Sequence, residues 1–591
     1  MSDRITYLIA GILLLIMFLM AFFSIANDSL TFDELAHIPA GYSYLTQKDY
    51  RINPEHPPLA KDIAAVPLLF LPLNFPSEHP TWTQENSAPP WWIQFDLGRE
   101  FLYRSDNNPK TIIFWSRLPM IFLLILLGWF LFKWARELGG NYLSLGVLAL
   151  FSFSPTFIAH GRLVATDVAV ALGAVLSTYF WLKFLKNPSK INIFWAGITF
   201  GVAMVLKFSL ILLIPFFGII TIAYALVFRK PTETKLKSLK KYIFSSFLIG
   251  LIGLLFIIWP IYQFHVFNYP PDHQLRDTIA DLAPNQLTPV KNLTIWMADK
   301  PFLRPLAQYF RGILMASQRT LFGNTVYFLG NISADGWWYY FPIIYFLKIP
   351  LAFHLLTIIS LFGTAFLLLK KKLQTSLKAF VKNHFTLFSF FIFLFIYWAA
   401  AMAGNLNIGI RHLLPTFPFI YLLVVFGLKT ILSSLPSFSL KNWTRGIIIL
   451  LFVWYIGSSL VVFPYYLSYF NESVGGVKNG YKYAVDSNYD WGQDFYRLLD
   501  FVEKNNITKL HLDYFGGEDP EYWLGEKYIK LEPRETKEPP KGWVAVSLNQ
   551  LQGGIAKAVP DFDQPTGYYR WLAEYTPVAR IGYSMFVYYI K

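Results

Sequence analysis

The residues able to do chemistry lie where long apolar runs end. Directly after the first run comes Thr31-Phe-Asp33-Glu34-Leu-Ala-His37, two adjacent carboxylates followed by an imidazole. A carboxylate in such a place can accept a proton or face developing positive charge. Asp33 and His37 are four positions apart, so a helix starting here sets them on one face. The same string also fits a capping box, with Thr31 as the cap, Glu34 three residues on and Asp33 favourable to the helix dipole. Next comes Arg51-Ile-Asn53-Pro54-Glu55-His56-Pro57-Pro58-Leu-Ala-Lys61. Its prolines stiffen an extended turn, and Lys61 opens an apolar stretch, 63–73, too short and Pro-punctuated to span. That stretch is expected to lie along the membrane surface, where Lys61 suits a lipid headgroup; a structural turn with solvated charges is the other reading.

A very short loop, His160-Gly161-Arg162-Leu-Val-Ala-Thr166-Asp167, joins two further runs. It sets Arg162 and Asp167 at interface depth, where an unpaired ion is costly and function is the default hypothesis, unless the two simply pair. Lys207 stands alone between the runs 191–206 and 208–228, kept for an anionic partner or snorkelling to the surface. Arg411-His412 enters a later run, and a guanidinium there is a natural fork for phosphate oxygens or a helix-end anchor. Trp337-Trp338-Tyr339-Tyr340 reads as an interfacial aromatic belt. Asp486-Ser-Asn488-Tyr489-Asp490-Trp491-Gly492-Gln493-Asp494 is rich in acid but lacks the Gly and terminal Glu of a Ca²⁺ loop, so no metal is expected.

The elements that must hold these groups follow from composition. Of 591 residues 54% are hydrophobic and 15% charged, whereas a soluble chain carries about a quarter charged; this is a membrane protein. Apolar segments at 5–25, 112–132, 142–159, 164–185, 191–206, 208–228, 242–262, 341–369, 384–402, 409–430 and 446–468 can each cross a hydrocarbon core about 30 Å thick. The first has features of a signal peptide but is long and lacks a small-residue cleavage site, so it is expected to remain as an anchor. With the N-terminus inside, the inner connections carry 20 Lys and Arg, including Lys370, Lys371, Lys372, Lys378 and Lys382, against three acids, Asp3, Glu137 and Glu233. The positive-inside rule is met, so the net charge of +14 reports topology, and a nucleic-acid partner loses its support.

That plan gives a transmembrane unit over 1–468 with external segments 26–111 and 263–340, and an external α/β domain over 469–591 in the inner or plasma membrane of a cell envelope. In the last part Phe495–Lys504 has helical spacing, 509–514 and 542–548 are strand-like, and 581–590 is a further apolar-aromatic run. The absence of cysteine excludes disulfides, thiolate metal sites and cysteine nucleophiles. No pair of matched, broken spans marks an inverted-repeat transporter.

Taken together, Asp33-Glu34-x-x-His37, Asn53-Pro54-Glu55-His56-Pro57-Pro58-Leu59-x-Lys61, Ala165-Thr166-Asp167, Lys207-Phe208-Ser209, Gly409-Ile410-Arg411-His412-Leu413-Leu414-Pro415 and Asp490-Trp491-Gly492-Gln493-Asp494 resemble the C-type (GT-C) polytopic glycosyltransferases. The likeness is to the bacterial branch related to protein O-mannosyltransferases and the lipid A aminoarabinose transferase. It implies an α-helical GT-C fold of about 11 spans with a small external α/β domain. It also implies an inverting transfer of one sugar from a polyprenyl-phosphate donor to a hydroxyl of a protein, lipid or glycan, with no cofactor. Asp33 would be general base, with Glu34 or Asp167 orienting acceptor or sugar. Lys61, Lys207 and Arg411 would face the phosphate, with Arg162 and His412 behind them and His37, Glu55 and His56 also binding substrate. Oligosaccharyltransferases of the superfamily carry Trp-Trp-Asp, whereas Trp338 is followed by Tyr339. That departure argues against a preassembled glycan; a non-catalytic flippase is the other class left open.

Overall fold

The computed structural model describes residues 1–84, 87–370, 377–532 and 539–591; Lys371 and Lys372 of the inner cation cluster lie outside the described residues. Among those described, eight helices are long and apolar enough to cross a membrane: Asp3–Ser24, Pro109–Ser152, Asp167–Lys186, Phe208–Val227, Lys235–His265, Phe385–Ala403, Ile410–Ser434 and Phe438–Val461. Tyr340–Lys348 and Leu351–Phe366 form a ninth candidate bent by 111°. Two local features separate this count from the eleven apolar segments. Pro109–Ser152 holds two of them, broken at Gly140, whose φ of 76° only glycine adopts freely. Lys190–Met204 is only 15 residues long, yet it joins the two ends of the bundle. Lys207 lies just beyond it and sits 2.6 Å from Asp167, the first residue of the preceding helix, so the two helices run antiparallel.

The bundle has two chemically different ends. At one, Arg136 pairs with Asp3 at 2.7 Å and donates to the Tyr7 hydroxyl, and Lys429 donates to the Gly139 carbonyl. At the other lie Asp33, Asp167, Lys207 and Arg411. The helix Glu34–Gln47 packs there against Leu59–Ala65, so closely that a Cβ on Gly41 would strike the Lys61 carbonyl. Beyond it, the residues 66–70 form a 3-10 turn that leaves Val66, Leu69 and Phe70 exposed.

The C-terminal region carries a five-stranded sheet in the order Tyr528–Lys530, Leu510–Asp513, Gly542–Ser547, Met585–Ile590, Ala579–Ile581. The first three strands are parallel and the last two pair antiparallel. The helix Phe495–Lys504 buries Phe495, Leu498 and Val502, spaced as one helical face, against Leu510, Ala545 and Val587 of that sheet. A buried ionic seam ties this region to the bundle. Asp28 pairs with Arg162 and accepts from Arg497 at 2.9 Å, and Arg497 also pairs with Asp494 at 2.6 Å. Glu518 accepts from the Leu30 backbone at 2.7 Å and from the Tyr103 hydroxyl at 2.8 Å.

Asp490 is fully buried and has no ion pair among the described residues; its oxygens accept from the Asn549 and Gly492 amides. Burial pushes its carboxyl up to about 8, so the folded chain holds a proton at neutral pH that the unfolded chain has released. The folded state binds the extra proton between the ordinary carboxylate range and about 8, so stability falls as pH rises through that window. Asp490→Asn, which mimics the neutral acid, should remove up to about 1.4 kcal/mol per pH unit of that fall. Thermal unfolding of the purified protein from pH 5 to 8 measures it, and parallel slopes for variant and wild type would contradict the assignment.

Candidate active site

At the end of the bundle that holds Asp33, a cavity of about 560 Å³ is lined by Asp33, His37, Glu55, His56, Lys207, Arg319, Arg411 and His412. Phe208, Ile211, Leu212, Phe341, Tyr397, Ala400 and Ala401 add mostly apolar lining.

Asp33 stands immediately before the helix Glu34–Gln47, and its Oδ2 accepts from the Arg411 guanidinium at 2.8 Å. Burial raises its carboxyl, but the charge and the hydrogen bond of Arg411 outweigh burial and hold it below the ordinary range, so it is ionised at neutral pH. One helical turn on, His37 donates Nδ1–H to the Val164 carbonyl at 2.9 Å, which directs Nε2 elsewhere. Burial, with Lys61 and Arg411 nearby, lowers its pKa against the pull of Asp33 and keeps the ring neutral. His56 meets it edge to face at 5.2 Å and is likewise held neutral, by burial and by Lys61, Lys207 and Arg319. Glu55 accepts from the Trp91 indole at 3.0 Å, and Arg319 lies 4.0 Å from its other oxygen and over the Trp91 ring. Burial nonetheless leaves the Glu55 carboxyl raised.

Asp167 is fully buried between two cations. Its Oδ1 holds Lys207 at 2.6 Å, and Oδ2 stands 3.7 Å from Arg411. It therefore fixes both cations at the cavity wall from behind. Arg411 sits on a short turn, Ile410–Thr416, after Gly409, and its guanidinium lies 4.3 Å over the Trp491 indole. His412 follows it into the cavity with Nε2 unbonded.

Besides Asp167, three of the charged residues singled out by sequence do not line this space. Glu34 is fully buried and accepts from Arg117 at 2.6 and 2.9 Å, from the Thr31 amide and hydroxyl, and from the Val164 amide. Only half of the capping box forms: the Thr31 amide donates to Glu34, but the Thr31 hydroxyl also donates to that carboxylate instead of accepting from a helix amide, and Asp33, not Thr31, stands at the helix start. Lys61 donates to Asn53 Oδ1, the carbonyls of Asn53 and His56, and the Tyr44 hydroxyl, at 2.8 to 3.1 Å. Burial pushes its pKa well down, and its contacts fix the 53–56 turn that carries Glu55 and His56 to the cavity. Arg162 pairs with Asp28, not with Asp167, and donates to the Ser24 carbonyl.

Arg117, Arg319, Trp91 and Tyr397 were not anticipated. Arg117 was hidden inside an apolar run, and Arg319 lies on a helix, Arg304–Phe322, with no distinguishing motif. The Trp91-Trp92 pair was a readable marker in the first external segment. Among the described residues, no group of three or more His, Asp or Glu could hold a metal ion.

Comparison with known proteins adds a family. Residues 112–259 match the family model described as dolichyl-phosphate-mannose-protein mannosyltransferase, about a quarter of the chain. The match takes in Arg162, Asp167 and Lys207 and leaves out Asp33 and Arg411. No curated protein matches the chain. Among solved structures, ArnT from Cupriavidus metallidurans bound to undecaprenyl phosphate is 12% identical, with a TM-score of 0.43 over 100% of this chain and 98% of that one. The oligosaccharyltransferase of Archaeoglobus fulgidus in its apo form is 12% identical, with a TM-score of 0.44 over 98% of this chain and 73% of that one. Through residues 112–259 the chain is similar to the family described as dolichyl-phosphate-mannose-protein mannosyltransferase.

Proposed function

We propose that the cavity transfers a single sugar from a polyprenyl phosphate to an acceptor hydroxyl, with inversion, on the extracytoplasmic face of the membrane. The observation that carries this reading is one space bordered by an ionised carboxylate, Asp33, by three cations, Lys207, Arg319 and Arg411, and by apolar lining. A lipid phosphate has the matching halves: an anionic head for the cations and a chain for the apolar lining. The matched family's name supplies a polyprenyl-type phosphate sugar as donor class. The inner cation count supports the outward direction of this end.

In the reaction the acceptor oxygen bonds to the anomeric carbon while the bond from that carbon to the phosphate oxygen breaks. The electron pair stays on the phosphate, whose growing charge Lys207 and Arg411 stabilise. The acceptor proton passes to Asp33, which also faces the positive charge developing on the sugar. Asp167 acts through the two cations that it holds, and Glu34 through the loop that it ties to Arg117. His37 and His56, both neutral, and Glu55 with Trp91 and Arg319 offer hydrogen bonds and a ring face to sugar hydroxyls.

Purified protein given a polyprenyl-phosphate radiolabelled sugar, with membranes from a host lacking the chain as acceptor, should form a covalent product and release polyprenyl phosphate. Lys207→Ala should raise the donor KM about ten- to a hundredfold, the cost of one charge-assisted hydrogen bond, with little change in the acceptor KM. No product from any such donor, or movement of the lipid-linked sugar across vesicles with no product, overturns the reading.

A further inference from the structure

We propose that Trp491 is a positioning residue whose indole lets the Arg411 guanidinium pass from Asp33 to a lipid phosphate, so that phosphate binding frees the Asp33 carboxylate. The inference rests on the reading of the cavity as a lipid-phosphate site and adds the part played in it by the C-terminal region. The guanidinium lies 4.3 Å over the Trp491 ring, which is itself buried. One edge donates to Asp33 at 2.8 Å, Asp167 stands 3.7 Å away, and the buried Nε has no hydrogen-bond partner. A ring face attracts a cation without a directional acceptor, so it fixes the guanidinium plane and leaves rotation within that plane free. An anion entering the cavity can therefore take the Asp33-facing edge without pulling Arg411 from its bed.

The same short segment registers both partners. The Trp491 carbonyl accepts from the Phe32 amide at 3.0 Å, one residue before Asp33. Asn488 Oδ1 accepts from the Ile410 amide at 2.9 Å, and Ser487 donates to the Ile408 carbonyl at 2.6 Å. Trp491 is held in turn, its amide donating to Gln493 Oε1 at 2.9 Å. Asp33 is also faced by His37 from the helix that follows it, Asp167 from the span Asp167–Lys186, Glu55 from the proline turn and Asp486 from the C-terminal segment. Among these groups Arg411 is the cation bonded to it, so moving Arg411 onto phosphate strengthens Asp33 as a base.

The test is the affinity of the full chain, purified into lipid nanodiscs, for undecaprenyl phosphate, which needs no turnover. Trp491→Leu should bind about tenfold more weakly and Trp491→Phe, which keeps a ring face, within about threefold of wild type. Asp33→Asn, which removes the competing carboxylate, should bind at least as tightly as wild type, a result that a purely structural role for Trp491 does not produce. Wild-type affinity in a folded Trp491→Leu, or weaker binding in Asp33→Asn, overturns the proposal while the transfer reading stands. Should Trp491→Leu fail to fold, an equal loss in Trp491→Phe overturns it. Failure of the wild type to bind or transfer removes the transfer reading itself.

Discussion

Asp33→Asn is expected to reduce sugar transfer about a thousandfold or more, since general-base contributions reach about 10⁴, while the protein still accumulates and melts normally. The side chain is partly exposed at the cavity and of the same size as its replacement. Arg411 keeps Asp167 at 3.7 Å as a second carboxylate, so the variant does not strand a buried cation. Because Arg411 holds Asp33 below the ordinary carboxylate range in the free protein, against burial, kcat/KM for transfer should not lose its base between neutrality and that range. Initial rates with radiolabelled donor measure the effect. Near-normal turnover in Asp33→Asn would remove Asp33 from the chemistry.

The second large effect falls on stability. Arg117→Ala leaves Glu34 fully buried with no cation and leaves the Asp28 and Ser29 carbonyls, each accepting at 2.7 Å, without that donor. Breaking a buried pair from one side costs about 3–5 kcal/mol, so the variant should fail to accumulate in membranes or lose most of its thermal stability. The double variant Glu34→Gln, Arg117→Met should recover much of that loss, because no unpaired charge stays behind. The comparison also separates the two adjacent carboxylates. If Glu34 works only through the 29–33 loop, the double variant regains transfer in step with stability. A stable but inactive double variant would instead assign Glu34 a direct part in the reaction.

Much of the site was legible because charges are scarce in this chain. Asp33, His37, Lys207 and Arg411 were each picked out as polar groups at the ends of apolar runs, and all four line one cavity. The helix Phe495–Lys504 and the strands after it were legible from periodicity for the same reason that they fold: one face is apolar. What spacing could not reveal was which member of an adjacent pair turns inward. Glu34 is taken by Arg117, which lies in the apolar run 112–132 and is contacted across the whole first external segment. Lys61 looked free for a headgroup, yet four oxygens of its own turn and a neighbouring tyrosine surround it. Arg162 had a nearer acid in sequence than Asp28, but the hairpin points it back at the end of the first span. The acids of 486–494 read as a cluster. In the fold they separate, Asp490 onto backbone amides and Asp494 onto Arg497, and the residue of that string that stacks on a cavity-lining side chain is its tryptophan.

The central claim is that Asp33 and the cations around it act on one lipid-phosphate sugar. It is tested most directly by a single-turnover reaction of purified wild-type protein with an anomerically pure polyprenyl-phosphate sugar. The product's configuration is read by NMR and the released polyprenyl phosphate is counted. The account predicts one polyprenyl phosphate per sugar transferred and an inverted anomeric centre. Retention of configuration, or transfer without release of the lipid phosphate, would contradict it.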